Sequence, residues 1–374
     1  MDELKLRRIL VTGANGFIGK NLIVRLSEEK NIETLKFVRG DSQDRLNELI
    51  AKSDAVIHLA GENRPSDINN FTKGNTDLTA ILCEAIQRTG KNIPLILTSS
   101  TQAKANNPYG KSKLEAENLV KRYIKKTGNS GIIYRLPGVF GKWCKPNYNS
   151  VVATFCHNIS RDLPIQINDP SSSLSLIYID DLMDIFIKAL DGFQDGLKIG
   201  EIDNTYTITL GALSQMILAF KNSRDSLISE KVGTGFCRAL YATYISNLSS
   251  EQFSYSLPIY GDERGVFVEM LKTKDTGQFS FFTAHPGITR GDHYHHTKSE
   301  KFLVIKGHAS FDFRHMITNE TYTIDTKGGE AIIVETIPGW AHNITNIGTE
   351  EMVVMLWANE IFDRDRPDTF INEV

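Results

Sequence analysis

Cysteine is scarce in this 374-residue chain, and the four present, Cys83, Cys144, Cys156 and Cys237, form no CxxC pair. A thiol-reducing, cytoplasmic setting is the simplest reading of that usage. Charge of one sign is missing too. The balance is 42 basic against 45 acidic residues, a formal −3. No basic field exists to hold a nucleic-acid backbone by charge. No apolar run approaches the ~18 residues that span a bilayer. The opening MDELKLRR is charged but lacks the apolar stretch of a signal peptide. Internal repeats and low-complexity segments are absent as well. What remains is 41% hydrophobic and 23% charged, which excludes disorder, collagen and coiled coil as the main state. The length suggests about two or three domains.

The two ends of the chain are patterned differently. Apolar runs at Arg8–Thr12, Thr34–Val38, Ala55–Ala60, Pro94–Ser99 and Gly131–Leu136 alternate with helical segments at about Phe17–Glu29, Thr76–Arg88 and Tyr109–Lys126. Continuous apolar strands between helices predict a parallel sheet covered on both faces. From Gly265 onward the runs are short and turn-rich, such as Gln278–His285, Lys301–Ile305, Ser310–Arg314 and Met352–Ala358. They predict an antiparallel sandwich or barrel. The polar stretch SNLSSEQ marks the boundary, giving expected domains of 1–247 and 248–374.

Gly13-Ala-Asn-Gly16-Phe-Ile-Gly19 follows the first strand and opens a helix. Such a turn lets the backbone approach a pyrophosphate, and the helix start offers N–H groups to it. In any α/β domain the same string can serve merely as a tight turn. The position after the second strand, where an acidic residue meets the ribose of NAD, holds Val38-Arg39-Gly40-Asp41. Arg39 there favours a 2′-phosphate and NADPH, against a solvated surface arginine. Tyr109 and Lys113 form a YxxxK pair. On a helix they share a face. The ammonium is expected to lower the phenol's pKa, so that Tyr109 donates a proton to a carbonyl oxygen. Ser99, Ser100 and Thr101 close the fourth strand. One of them, taken here as Ser100, would bind that carbonyl, unless the run only caps the strand.

TGANGFIG, HLAG, YGKSK, RLPGVFG and YIDD, in that order, resemble the extended short-chain dehydrogenase/reductases acting on nucleotide sugars. The resemblance implies an α/β Rossmann-like doubly wound sheet. It implies catalysis by Ser100, Tyr109 and Lys113, and cofactor contacts from Gly13, Asn15, Gly16, Phe17, Ile18, Gly19, Arg39, Leu59, Ala60, Gly61, Tyr109, Lys113 and Arg135. Phe140, Lys142, Trp143, Lys145 and Asn149 are implied as nucleotide-sugar contacts. The step from Ser100 to Tyr109 is shorter than is usual in that family.

His293-x-His295-x4-Glu300, with Gly287 before and Gly307 after, is the most specific string in the chain. Chance would supply HxHxxxxE about once in a hundred chains of this composition. Two imidazoles at i and i+2 point to one face of a strand. With Glu300 and a distant His342 they make an N/O ligand set for a divalent metal, and spacing alone does not choose zinc over its neighbours. The string resembles the first cupin motif, and PGWAH ending at His342 resembles the second. The implied fold is an all-β cupin barrel. Asp262-Glu-Arg264 through Glu269, then Arg290-Gly-Asp-His293, resemble instead the metal-free deoxythymidine-diphosphate-sugar 3,5-epimerases. There His293 would be a general base, a role incompatible with ligation. His295 and Glu300 have no role in that scheme.

The order reductase-then-cupin, with HLAGENRP, FGKWCKPNYNSV, GDHYHHTKSEKFLV and WANEIFD, resembles the bifunctional capsular polysaccharide synthesis enzymes of the CapF type. That resemblance implies C3 epimerisation of a UDP-2-acetamido-2,6-dideoxy-4-hexulose and NADPH-dependent reduction at C4. It also implies zinc as the metal, a homodimer, and neighbouring enzymes of the same sugar pathway as partners. Two other readings stay open. One is a cupin that only supports oligomerisation. The other is a dehydratase or 4-epimerase, although TQAKANNPY lacks the acidic pair of dehydratases.

Overall fold

The computed structural model describes residues 6–65, 67 and 69–374. The chain forms two compact units. One takes the residues up to Ile217 with Arg238–Leu248, and the other takes Leu218–Cys237 with Ser249–Val374. The segment Leu218–Cys237 therefore belongs to the second unit, whereas the polar boundary in the sequence predicts it in the first. It carries the short strand Ile228–Ser229, which pairs in parallel with Lys272 and Thr273. Edge pairing of that kind is invisible in a two-residue run.

The first unit is built on a six-stranded sheet. Its order is Ile32–Phe37, Arg7–Thr12, Ala55–His58, Leu95–Ser100, Gly131–Leu136, Leu197–Gly200, and every pairing is parallel. Both faces are covered, as the unbroken apolar strands require. Leu10, Val56, Leu95 and Ile133 pack against Leu46, Ile50, Leu82, Val120 and Ile124 of one helical layer. Ile9, Val11 and Ile57, equally buried, alternate with them and so face the other side. Chain order reverses at Arg7–Thr12, whose two sequential successors flank it on opposite edges. That switch point is where open α/β sheets bind ligands.

The helix Pro108–Thr127 positions the Tyr–Lys pair. Asn107 caps it, its side chain accepting from the Gly110 N–H at 2.7 Å, with Pro108 in the first turn. Gly128, at φ 70, ends it in the left-handed conformation. Its buried face runs Gly110, Lys113, Glu117, Val120 and Ile124, at the three- and four-residue steps of an amphipathic helix.

The second unit is all-β. One sheet runs Ile228–Ser229, Gly265–Thr273, Gly277–Ala284, Met352–Ala358, Glu300–Lys306, Ile333–Glu335, with Tyr260–Asp262 joined to Gly265–Thr273. The other runs Thr321–Lys327, His308–His315, Trp340–Asn346, Thr289–Tyr294, Phe370–Ile371. Phe282, Phe302, Phe311, Ile344, Val354 and Leu356, from both sheets, share one core. Trp340–Asn346 and Thr289–Tyr294 lie outside the runs expected as strands, because their polar residues break the apolar alternation. Both carry site residues.

Candidate functional site

In the first unit, Gly13 leaves its strand at φ 71. A Cβ there would stand 2.7 Å from the Ala60 nitrogen, and one on Gly19 would stand 2.3 Å from the Gly13 carbonyl. Only glycine fits either position. Gly16 caps the helix Phe17–Ser27 with no side-chain acceptor, so the first-turn N–H groups face outward from the switch point. Asn15 and Gly16 are exposed, Phe17 and Ile18 half-buried. The Leu59 and Ala60 N–H groups donate to the carbonyl and hydroxyl of Thr12, which brings Leu59, Ala60 and Gly61 beside the glycine turn. This cradle suits a pyrophosphate.

His58 stands just below it. Its ring lies between the hydroxyls of Thr12 (2.6 Å) and Thr79 (3.0 Å). Burial, aided by Lys113, pushes its pKa down to about 3, so the ring is a neutral brace.

Lys113 is buried, and its Nζ donates to the Thr98 carbonyl at 3.1 Å. Burial lowers its pKa to about 8, against the pull of Glu117. Tyr109 is half-buried, with its ring 5.7 Å from that of Phe71. Burial pushes the phenol up, and a hydrogen bond with Ser100 works against that rise. The expectation that Lys113 lowers the phenol is thus corrected: burial dominates. The consequence is a Tyr109 protonated at neutral pH, as a proton donor must be. Of the candidate hydroxyls, Ser100 is beside Tyr109, whereas Ser99 Oγ donates to Glu117 at 2.6 Å.

Glu117 is a site residue that the motifs do not announce. Its carboxylate is wholly buried and takes two bonds from Arg135, at 2.8 and 2.7 Å. Arg135, expected among the cofactor contacts, thereby turns its guanidinium from the strand Gly131–Leu136 to Glu117 of the helix Pro108–Thr127. The signal is present in the sequence: Glu117 follows Lys113 by four residues, on the same face. Phe140, implied as a sugar-nucleotide contact, is instead wholly buried against Tyr178. An apolar ring on a three-residue strand belongs to the core. Trp143 is half exposed, at φ 67, under Lys142. Arg39 is exposed and paired with Glu62 at 2.6 Å.

In the second unit, His293, His295, Glu300 and His342 present ligand atoms that all lie within 4.8 Å of one another. His293 and His342 face each other across paired strands. A register shift between Gly291 and His293, with Asp292 at φ 55, re-aims the first histidines, and the strand ends at Tyr294. His293 thus lies on the strand just after a bulge, and His295 falls one residue past the strand's end, where the sequence predicted both on one strand face. His295 Nε2 is 3.3 Å from Glu300, and its Nδ1 bonds to the Asp368 carbonyl. The Asp368 carboxylate accepts from the N–H groups of His296, Thr297 and Lys298, and so pins the loop. Burial opposes ionisation of Glu300, but His295, His342 and Lys298 hold it well below the usual carboxylate range. Burial lowers His293 to about 4.

Three imidazoles around a carboxylate, with the buried Nε2 of His342 lacking a hydrogen-bond partner among the described residues, fit a divalent cation. Nothing in the sequence points to Asp368, which lies more than 70 residues from the histidines it serves. The cluster opens on a cavity of about 330 Å³ lined by Phe267, Phe282, Arg290, Phe302 and Asn343.

No helix among the described residues is long and apolar enough to cross a membrane, and the four cysteines are free. The NAD dependent epimerase/dehydratase family model matches residues 9–204, and the polysaccharide biosynthesis C-terminal domain matches 260–370. A UDP-2-acetamido-2,6-beta-L-arabino-hexul-4-ose reductase of Pseudomonas aeruginosa is 54% identical over 363 residues, covering 97% of this chain and 98% of that protein. The capsular polysaccharide assembling protein CapF of Staphylococcus aureus matches with a TM-score of 0.91 at 41% identity, over 98% of this chain and 100% of that one. A Bacillus cereus UDP-glucuronic acid 4-epimerase shares the fold of the first unit, at a TM-score of 0.54 and 19% identity over 64% of this chain and 98% of that one. With its glycine cradle and Tyr–Lys helix in one unit and an all-β fold in the other, the chain belongs to the NAD dependent epimerase/dehydratase family, among the CapF-type members that carry the polysaccharide biosynthesis C-terminal domain.

Proposed function

We propose that the chain converts a UDP-2-acetamido-2,6-dideoxy-4-hexulose to UDP-2-acetamido-2,6-dideoxy-L-talose. The second unit epimerises C3, and the first reduces C4 with NADPH. The observation that carries the reading is Tyr109 beside Ser100, one helical turn from buried Lys113 on the same helix, at the sheet edge that bears the glycine cradle. The resemblance to the Pseudomonas aeruginosa reductase supports the substrate class.

Gly13, Gly16 and Gly19 would hold the pyrophosphate, Arg39 the 2′-phosphate and Lys113 the nicotinamide ribose. When bound, the dinucleotide supplies the hydride to C4. Ser100 donates a hydrogen bond to the C4 carbonyl oxygen, and Tyr109 passes its proton to that oxygen as it becomes a hydroxyl. Lys113 holds a positive charge beside the phenolate left behind.

The second unit is read as a cupin-type barrel. His293, His295, Glu300 and His342 would hold a divalent cation, zinc by preference, whose chemistry is that of a Lewis acid for a ketone. The compact four-residue cluster supports His293 as a ligand over His293 as a base. The C4 ketone acidifies the C3 proton, which a base takes from one face while an acid delivers a proton to the other. Reduction then removes the ketone and traps the configuration. A homodimer, cooperating with other enzymes of the same sugar pathway, completes the proposal.

The test is NMR of the product made from the UDP-4-keto sugar with NADPH, with a parallel incubation in D2O without NADPH. The expected result is a talo product and deuterium at C3. Reduction without C3 label reduces the second unit to a supporting module, and label without reduction removes the reductase.

A further inference from the structure

Arg39 has an unusual neighbour. Its Nη2 donates to Glu62 Oε2 at 2.6 Å, and the two partners are not equally free. The Arg39 side chain is 85% exposed and that of Glu62 only 17%. One amide clamps the Glu62 main chain on both sides. Asn75 Oδ1 accepts from the Glu62 N–H at 2.9 Å, and Asn75 Nδ2 donates to the Glu62 carbonyl at 3.1 Å. Asn75 is buried and donates also to Ser112 Oγ at 3.0 Å. Gly74 closes in from beneath: a Cβ there would lie 3.0 Å from that of Glu62. The carboxylate is therefore the fixed member of the pair, and the guanidinium is the one that can swing.

The pair also stands in a telling place. Arg39 follows the strand Ile32–Phe37 by two residues, and Glu62 follows Ala55–His58 by four. These strands flank Arg7–Thr12 on either side, so the two residues straddle the glycine cradle at the sheet's carboxyl edge. Asp41 is the other carboxylate nearby. It accepts from the Val38 N–H at 2.8 Å, and so shapes the turn instead of facing Arg39.

We propose that Glu62 sets the choice between phosphorylated and unphosphorylated dinucleotide. Its carboxylate competes with a 2′-phosphate for the Arg39 guanidinium and repels that phosphate, and it accepts a hydrogen bond from a free 2′-hydroxyl. This rests on the reading of Arg39 given above and adds to it a built-in opponent. A fixed anion facing the incoming phosphate weakens NADPH and favours NADH, so the chain's preference is the difference between two opposed charges. The Arg39 guanidinium lies in solvent, so the effect is moderate and shrinks with added salt.

The experiment uses the full-length protein and two probes of the adenosine end alone, adenosine 2′,5′-bisphosphate and AMP, by isothermal titration. Glu62→Gln should tighten the bisphosphate about fivefold at low salt, leave AMP equal or weaker, and raise the ratio of kcat/KM for NADPH over NADH by a similar factor. Glu62→Val, checked for an unchanged melting curve, should do the same. Arg39→Ala separates the layers. If it leaves bisphosphate binding unchanged, the 2′-phosphate role of Arg39 falls, and this proposal with it. If it weakens the bisphosphate while neither Glu62 variant strengthens it, only the role of Glu62 is overturned.

Discussion

The two candidate sites solve the same problem, a buried charge, in opposite ways. In the first unit the buried charge is a cation. Lys113 has a carbonyl as its close partner, and its counterion Glu117 is largely spent on Arg135 and Ser99. Its pKa falls to about 8, near working pH. In the second unit the buried charge is an anion. Glu300 is surrounded by two imidazoles and the Lys298 ammonium, whose Nζ lies 2.7 Å away. Its ionised form is secured. A weakly compensated charge is poised to change during a reaction, whereas a heavily compensated one is built to stay. On that contrast, the Lys113 charge can change near neutral pH, while the Glu300 charge stays.

The largest expected effect tests that division. Tyr109→Phe should lower NADPH oxidation by about 10²- to 10⁴-fold, the usual worth of a positioned acid, while C3 deuterium exchange stays within about twofold of wild type. Loss of both would tie the two chemistries together. Next comes Glu300→Ala. It should abolish stoichiometric metal in elemental analysis of the purified protein and lower its melting temperature, because metal affinity and folding are linked. Metal retained at one equivalent would remove Glu300 from the ligand set.

A smaller effect lies in pH. The Lys113 ammonium is lost as pH rises through about 8, so reductase kcat/KM should fall above that value. The stability contribution has the opposite sign. Between about pH 8 and the ordinary lysine value the unfolded chain binds the extra proton, so the group's contribution to folding improves as pH rises. Glu117→Gln removes the charge that raises Lys113, and should move the falling limb of the pH profile lower. A profile unmoved by that substitution would break the link between the two residues. The smallest effect is expected at Asp368. Asp368→Asn weakens three backbone bonds to the histidine loop, and should reduce metal affinity by about tenfold without removing it.

Legibility differed between the two units for physical reasons. GxxGxxG and YxxxK are local patterns, because a turn and a helix face are each set within a few residues, and both are found where the spacing put them. The cradle's other wall, Leu59 to Gly61, was legible only by family resemblance. Glu117 lay within reach of the same helical rule, although no motif names it. The bulge at Asp292, the strand around His342 and the grip of Asp368 on the histidine loop were not legible. Each depends on a pairing partner or a backbone twist supplied by distant chain. Phe140 failed in the other direction: resemblance implied a contact for a ring that is wholly buried.

By itself, then, the order of residues determined the class of each half, the glycine turn, the Tyr–Lys pair and the four members of the His–Glu cluster. These follow from periodicity and short-range chemistry. Tertiary structure alone decided which serine meets Tyr109, that burial outweighs Lys113 at the phenol, that Arg135 serves Glu117, and that Arg39 faces Glu62. Those outcomes turn on desolvation and on contacts between separate strands, and neither exists until the chain has closed around them.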